Sequence, residues 1–233
     1  MFGLDDWIAG LSDGASFGIV VLVAVLLGLR HATDPDHIAA VTTLIASGKE
    51  RATRSAAELG AWWGLGHAVT LVLFGVPILV AGRYLPERIQ QGAETAVAGL
   101  IVFLAIRLLV RWRHGYFDLH SHPDPDREHR HVVRTPGGAF GIGLVHGMGG
   151  SAGVGVLLLA AIPSETVAIA ALLVLALFTA VSMTVVTSGF GWTLSARPVA
   201  AAVTASVPAI GLASLAFGAW YAAAAWSLLA YQF

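Results

Sequence analysis

The chain has 233 residues, of which 57% are hydrophobic and 12% are charged, and its formal net charge is -1. A soluble domain carries about 25% charged residues, so the composition excludes an ordinary soluble protein and indicates an integral membrane protein. The near-neutral charge gives no indication of nucleic-acid binding. The absence of cysteine excludes disulfides, thiolate metal sites and Cys-ligated iron–sulfur clusters.

Apolar segments long enough to cross a hydrocarbon core of about 30 Å recur along the chain. We expect all of them to be helical, because lipid cannot satisfy an open strand edge. The predicted fold class is therefore an all-α integral membrane protein with about six transmembrane helices. The predicted spans are residues 17–46, 59–81, 93–110, 137–162, 166–188 and 199–230. No separate soluble domain is expected, so residues 1–233 are interpreted as a single transmembrane domain.

The first predicted span is too long for one straight crossing and contains the polar sequence RHATDPDHI. Pro35 has no N–H to donate to the carbonyl of His31, and proline fits the first position of a helix. We expect one half-helix to end near residues 29–31 and the next to start with Asp34 as its N-cap. The carbonyl of His31 would then be free to face the cavity.

Ionisable side chains at membrane depth cost about 2.5–3.5 kcal/mol each on insertion scales, so a group of them needs a compensating partner. Imidazole nitrogens and carboxylate oxygens suit a divalent transition metal, and this segment supplies them from His31, Asp34, Asp36 and His37. In an unbroken helix Asp36 would point away from the other three. The alternative is a polar loop outside the membrane, although the apolar run before it, SFGIVVLVAVLLGL, is short for a crossing.

Two further histidines end the same Gly-Leu-x-His pattern as His31: His67 in the second predicted span and His146 in the fourth. At 1.5 Å per residue, His67 and His146 are expected to lie roughly 12–14 Å from the cytoplasmic face, and His31 roughly 9 Å from it. The three histidines are therefore predicted to meet at one level and to complete the metal site. A histidine in a helix of small residues could equally hydrogen-bond to a neighbouring helix and bind nothing.

Most of the 13 basic residues fall in the linkers after the first, third and fifth predicted spans. By the positive-inside rule, both termini are expected outside and the long linker at 111–136 in the cytoplasm. The predicted localisation is the cytoplasmic membrane, with several crossings. The linker is rich in histidine and acidic residues, which is consistent either with loose metal capture or with a solvated polar loop.

RHATDPDHI resembles the signature of the nickel/cobalt transporter family (NiCoT and its NicO relatives), which contains H-x4-D-H. By this resemblance His31, Asp36 and His37 occupy signature positions, and Asp34 matches an acidic residue inside the signature. LGHAVT, with His67, resembles a second family motif. GLVHGMGGSA, with His146, resembles the corresponding segment of the shorter, urease-accessory-like members. Pro35 stands where the family usually has a small residue, and the larger permeases are described as having eight spans.

The resemblance implies a secondary transporter, not an enzyme, that moves Ni(II) or Co(II) through a mid-membrane His/Asp site. It implies no resident cofactor, since the metal ion is the cargo. The implied partners are the divalent metal ion, the lipid bilayer and, because the third motif is urease-like, cytoplasmic nickel-enzyme maturation factors. That same motif favours uptake. No Walker-type phosphate loop is present to hydrolyse ATP.

Several alternatives remain open from the residues alone. An efflux protein of the same family would use the same site, and Zn(II) or Mn(II) would suit the same ligand types. A membrane haem protein would take pairs among His31, His67 and His146 as axial ligands, although the carboxylates beside His31 argue against it. An intramembrane metallohydrolase has the least support, because the sequence contains no H-E-x-x-H.

Overall fold

The structure is a computed structural model that describes residues 17–46, 53–81, 86–114, 135–149, 156, 159–160, 162–195 and 197–228. Every regular element in this part of the chain is a helix, which confirms the all-α prediction. The helices are α1 (Phe17–His31), α2 (Pro35–Ala46), α3 (Thr53–Ala81), α4 (Glu87–Arg113), α5 (Pro136–His146), α6 (Glu165–Ser195) and α7 (Arg197–Ala225).

Four of these helices are long and apolar enough to cross a membrane, over Ser55–Ala81, Glu87–Arg113, Glu165–Thr193 and Ala205–Ala225. A fifth candidate span combines Phe17–His31 with Pro35–Thr43, at a bend of 44°. Four to five such spans agree with a multi-pass membrane protein. The predicted count of six depends on residues 137–162, of which residues 150–155, 157–158 and 161 lie outside the described residues. The helix described at the start of this range, α5, has 11 residues and ends at His146. Alone, α5 is too short to cross.

Three predicted features lie wholly or mainly outside the described residues. They are the two termini, residues 1–16 and 229–233, and the greater part of the His-rich linker, residues 115–134. The ends of that linker are described. α4 continues to Arg113, and Thr135 caps α5 by accepting a hydrogen bond from the N–H of Gly138 at 3.1 Å.

Helix α3 is central to the packing: it contacts α6 and α5, while α4 packs on α7 and α1 on α6. Helix association in lipid depends on close van der Waals contact, which glycine permits. Where α3 crosses α5, a Cβ atom on Gly66 would overlap the carbonyl oxygen of Phe140, and one on Gly143 would overlap that of Trp63. The two backbones therefore touch, and this contact brings the end of α5 against the middle of α3.

Two groups of buried apolar side chains flank the middle of the bundle. The first, called the α1 cluster, includes Val20, Val23, Leu27, Leu71, Leu172 and Leu175. The second, called the Trp63 cluster, includes Ala40, Val41, Trp63, Leu104, Ile142 and Met183. On α3, His67 lies one helical turn from each cluster, between Trp63 and Leu71. The fold thus encloses a polar layer between two apolar ones.

The α3–α5 contact predicts that Gly143→Ala destabilises the protein. The new methyl group would force the two backbones apart, at a cost of about 1–3 kcal/mol for overpacking. The melting temperature of the detergent-purified protein should therefore fall, as measured by scanning fluorimetry.

Gly141→Ala on the same helix is the matched control. A Cβ atom at Gly141 meets no heavy atom of the described residues within 4 Å. Alanine is the better helix former by about 0.5–1 kcal/mol, so this variant should melt at the same temperature or higher. An equal loss of stability in both variants would contradict the proposed importance of the backbone contact.

Candidate metal centre

The break between α1 and α2 lies at the polar motif, with α1 ending at His31 and α2 beginning at Pro35 as predicted. Asp34 occupies the N-cap position, and its carbonyl accepts a hydrogen bond from the N–H of Ile38 at 3.0 Å. The prediction of a free His31 carbonyl is wrong: it accepts from the N–H of Asp34 at 3.2 Å. A tight turn closes before Pro35, so the bend is made without leaving this carbonyl unpaired.

Five ionisable side chains from four helices meet at this break and are called the His/Asp cluster: His31, Asp36, His37, His67 and His146. Each is at most 8% exposed, and His67 and His146 are fully buried. The His31 and His67 Nε2 atoms are 2.9 Å apart. The ring centroid of His37 lies 4.5 Å from that of His31 and 4.3 Å from that of His146. The histidines of the three Gly-Leu-x-His patterns thus meet in one cluster.

Asp36 links two of the histidines through its two carboxylate oxygens. Its Oδ1 is 3.1 Å from Nδ1 of His37, and its Oδ2 is 3.2 Å from Nε2 of His146. Both contacts are hydrogen bonds in which the ring N–H donates to the carboxylate. Pro35 makes this possible, because the new helix that it starts turns Asp36 towards the cluster rather than away from it.

Three buried ring nitrogens of the cluster have no hydrogen-bond partner among the described residues: Nε2 of His37, Nδ1 of His67 and Nδ1 of His146. A buried polar group without a partner costs about 1–3 kcal/mol. Three of them in one place fit a site built for a ligand. Two sets of three residues bring one ligand atom each to within 4.8 Å of one another, namely His31, His37 and His67, and Asp36, His37 and His146.

Asp34, predicted as a fourth ligand of the motif, belongs to neither set of three. Its Oδ1 accepts from Nη2 of Arg30 at 2.8 Å, and its Oδ2 lies 3.4 Å from Nδ1 of His31. A carboxylate beside the ring of a ligating histidine orients that ring and sets which nitrogen carries the proton. The position of Asp34 therefore suits a residue that holds His31 in place.

Two neighbours of the cluster carry no motif in the sequence. Trp63 is 1% exposed, and its ring centroid lies 5.8 Å from that of His37 and 5.6 Å from that of His146. Its position four residues before His67 on α3 is the one signal that could have indicated it. Ser182 on α6 donates a hydrogen bond to the carbonyl of Leu29 at 2.5 Å, which fixes the end of α1.

The fold and the cluster together define a multi-pass helical membrane protein with a buried nitrogen and oxygen ligand set. A profile of the high-affinity nickel-transport protein family, NicO, matches residues 17–142, which is more than half of the chain. The chain belongs to this family, whose members are nickel permeases and not enzymes.

Three relatives show how far the similarity extends. The chain is 28% identical over 213 residues to a urease accessory protein, UreH, of Bacillus sp. (strain TB-90), covering 87% of this chain and 90% of that protein. It is 33% identical over 112 residues to a high-affinity nickel transport protein of Cupriavidus necator, covering 47% and 31%. It is 31% identical over 104 residues to the nickel transporter NixA of Staphylococcus aureus, covering 42% and 30%. No solved structure matches the chain.

Because the carboxylates of Asp34 and Asp36 lie in different places, removing the charge of each should change the affinity for Ni(II) by a different amount. Asp34→Asn should weaken Ni(II) binding by about 10–100-fold, as for other residues that orient a ligand. Asp36→Asn should cost more, because it would remove a candidate ligand together with the common acceptor of His37 and His146. Equilibrium dialysis of the purified protein measures both affinities.

Glu87→Gln, at the exposed start of α4, is the control for a lost negative charge and should bind Ni(II) as the unmodified protein does. A loss for Asp34→Asn as large as that for Asp36→Asn would show that Asp34 is itself a ligand, as the sequence spacing predicts.

Proposed function

We propose that this chain is a secondary transporter that takes up Ni(II), and also Co(II), across the cytoplasmic membrane through the His/Asp cluster. The observation that carries the proposal is the convergence of four imidazoles and one carboxylate, all buried, at a broken helix inside a nickel-permease family member. Broken helices at mid-membrane are where secondary transporters place their ion sites.

The donor set favours borderline divalent metals. Imidazole suits Ni(II), Co(II) and Zn(II), whereas a soft ion such as Cu(I) prefers thiolates, of which the chain has none. Asp34 is neutralised by Arg30, so Asp36 supplies the negative charge that faces the histidines. With neutral imidazoles, a bound dication would leave the cluster with a charge of about +1, which is far cheaper to bury than the bare ion.

The surroundings of the cluster support a transporter that opens alternately to the two sides. The α1 cluster lies on one side of the polar layer and the Trp63 cluster on the other. An ion at the His/Asp cluster would be closed off by apolar side chains in both directions, so passage requires helices to move. Trp63, which packs beside His37 and His146, is the bulkiest of these barriers.

The membrane arrangement is part of the proposal. All 233 residues form one transporter domain with six spans, in which residues 137–162 make the fourth. The distribution of lysine and arginine supports termini outside and the linker at 111–136 in the cytoplasm. In this orientation α3 begins at the cytoplasmic face, so the Trp63 cluster lies on the cytoplasmic side of the His/Asp cluster.

Uptake rather than efflux is supported by the relative of nearly equal length, whose name links it to urease. A chain that serves the maturation of a nickel enzyme must deliver the ion to the cytoplasm, where maturation factors would receive it.

Haem binding is disfavoured, because the Nε2 atoms of His31 and His67 are 2.9 Å apart and leave no room for a macrocycle between them.

The proposal predicts that cells expressing the chain accumulate more radioactive nickel than cells with an empty vector. His37→Ala, at matched abundance in the membrane, should return accumulation to the vector level, because the residue common to both sets of donors is lost. Cobalt uptake should respond in the same way.

Thr42→Ala on the same helix is the control. The hydroxyl of Thr42 bonds to the carbonyl of Ile38 within α2 and belongs to neither set of candidate ligands, so this variant should retain uptake. If the unmodified chain lowered nickel below the vector level and His37→Ala restored it to that level, the chain would be an exporter rather than an importer. Identical accumulation in all four cell lines would overturn transport through this site.

A further inference from the structure

We propose that the metal ion occupies two successive positions in the His/Asp cluster, with His37 as the ligand common to both. The nitrogen position is formed by His31, His37 and His67, and the carboxylate position by Asp36, His37 and His146. This inference rests on the proposed function, because it divides one transport site into two steps.

The distances favour two positions over one. A metal bonds to imidazole nitrogen and carboxylate oxygen at about 2.0–2.2 Å, so two ligand atoms of one ion lie at most about 4.4 Å apart. Within each set of three residues, the ligand atoms already lie within 4.8 Å of one another. Among the described residues, no single set of that kind contains all five side chains.

The ring of His37 is placed to serve both positions. Its Nδ1 contacts Oδ1 of Asp36 at 3.1 Å, which is the side of the carboxylate position. Its Nε2 is buried and has no partner among the described residues. The two nitrogens lie on different edges of the imidazole, so Nε2 is the atom left for an ion held by His31 and His67. The ring of His37 therefore offers a different nitrogen to each position. Because a neutral imidazole has one unprotonated nitrogen, passage of the ion from Nε2 to Nδ1 requires the ring proton to move the opposite way, from Nδ1 to Nε2.

The two positions differ in charge. The nitrogen position has three neutral donors, so a dication there keeps its full charge, whereas Asp36 reduces that charge in the carboxylate position. Each position offers only three protein donors, which leaves room for water or for the next ligand. Conduction requires sites that bind well enough to admit an ion and weakly enough to release it. Two incomplete positions meet that need better than one complete site.

The side chains beside the two positions indicate the order in which the metal ion would pass through them. His31 ends α1, whose preceding turn packs in the α1 cluster through Leu27. His146, in the carboxylate position, packs against Trp63 at the other side of the polar layer. In the proposed orientation, the nitrogen position receives the ion from outside, and the carboxylate position delivers it towards the cytoplasm past Trp63.

The test uses the purified protein with Co(II) as the probe. Two variants each remove one ligand that belongs to only one of the two positions. His67→Ala disables the nitrogen position, and His146→Ala disables the carboxylate position. Both variants should still bind one Co(II) per chain, with lower affinity, and both should lose transport. X-ray absorption should count two imidazoles around the ion in His67→Ala and three in His146→Ala. The double variant should bind none.

Val69→Ala, an exposed position on α3 close to His67, controls for the effect of substitution on that helix and should bind and transport as the unmodified protein does. Loss of binding in either single variant as complete as in the double variant would show a single site. Equal imidazole counts in the two single variants, or two ions bound per chain, would also overturn the proposal. If the unmodified protein binds no Co(II) or Ni(II), the proposed function itself fails, which is a distinguishable result.

Discussion

The missing N–H of Pro35 is the constraint on which the rest of the site depends. A continuous helix would keep the side chains of residues 31 to 37 spread around its surface, facing several neighbours. Because proline cannot continue the hydrogen-bond ladder, α1 ends at His31, the chain turns, and α2 leaves at a bend of 44°. The bend directs His31, Asp36 and His37 to one point, with the His31 and His37 rings in edge contact. The three side chains that the motif contributes to the His/Asp cluster therefore meet because of one backbone feature.

The second requirement is that α3 and α5 approach closely enough for their histidines to reach that point. Gly66 and Gly143 permit this, because each faces a carbonyl group of the other helix where no Cβ atom would fit. The glycines offer no ligand atoms from side chains, yet they set the distance between the histidine on α3 and the one at the end of α5. The close packing of these two helices therefore also determines how their histidines are placed relative to each other.

The sequence predicted the helical class, the break at Pro35 and the meeting of His31, His67 and His146, because each depends on composition, backbone chemistry or simple rise per residue. It did not predict which carboxylate faces the histidines. Helical spacing favoured Asp34, but the side chain of Asp34 pairs with Arg30, and the new helix turns Asp36 inward. Neither Trp63 nor Ser182 was predicted, since their contacts depend on which helix face meets which neighbour; only the position of Trp63 four residues before His67 could have indicated it. The predicted span at 137–162 stays a prediction, because residues 150–155, 157–158 and 161 lie outside the described residues.

A broken helix inside a membrane is stable only if its loose backbone groups find partners, since lipid supplies none. At this break Ser182 donates to the carbonyl of Leu29, and the carbonyl of Arg30 accepts from both the N–H and the hydroxyl of Thr33, at 2.9 and 2.6 Å. The guanidinium of Arg30 then pairs with Asp34, which touches His31. The residues that pair the backbone groups at the bend are therefore in contact with Asp34, which orients His31, the first histidine of the cluster. For this reason the stability of the break and the geometry of the site cannot vary independently: a change that loosens the end of α1 also moves His31 relative to His67.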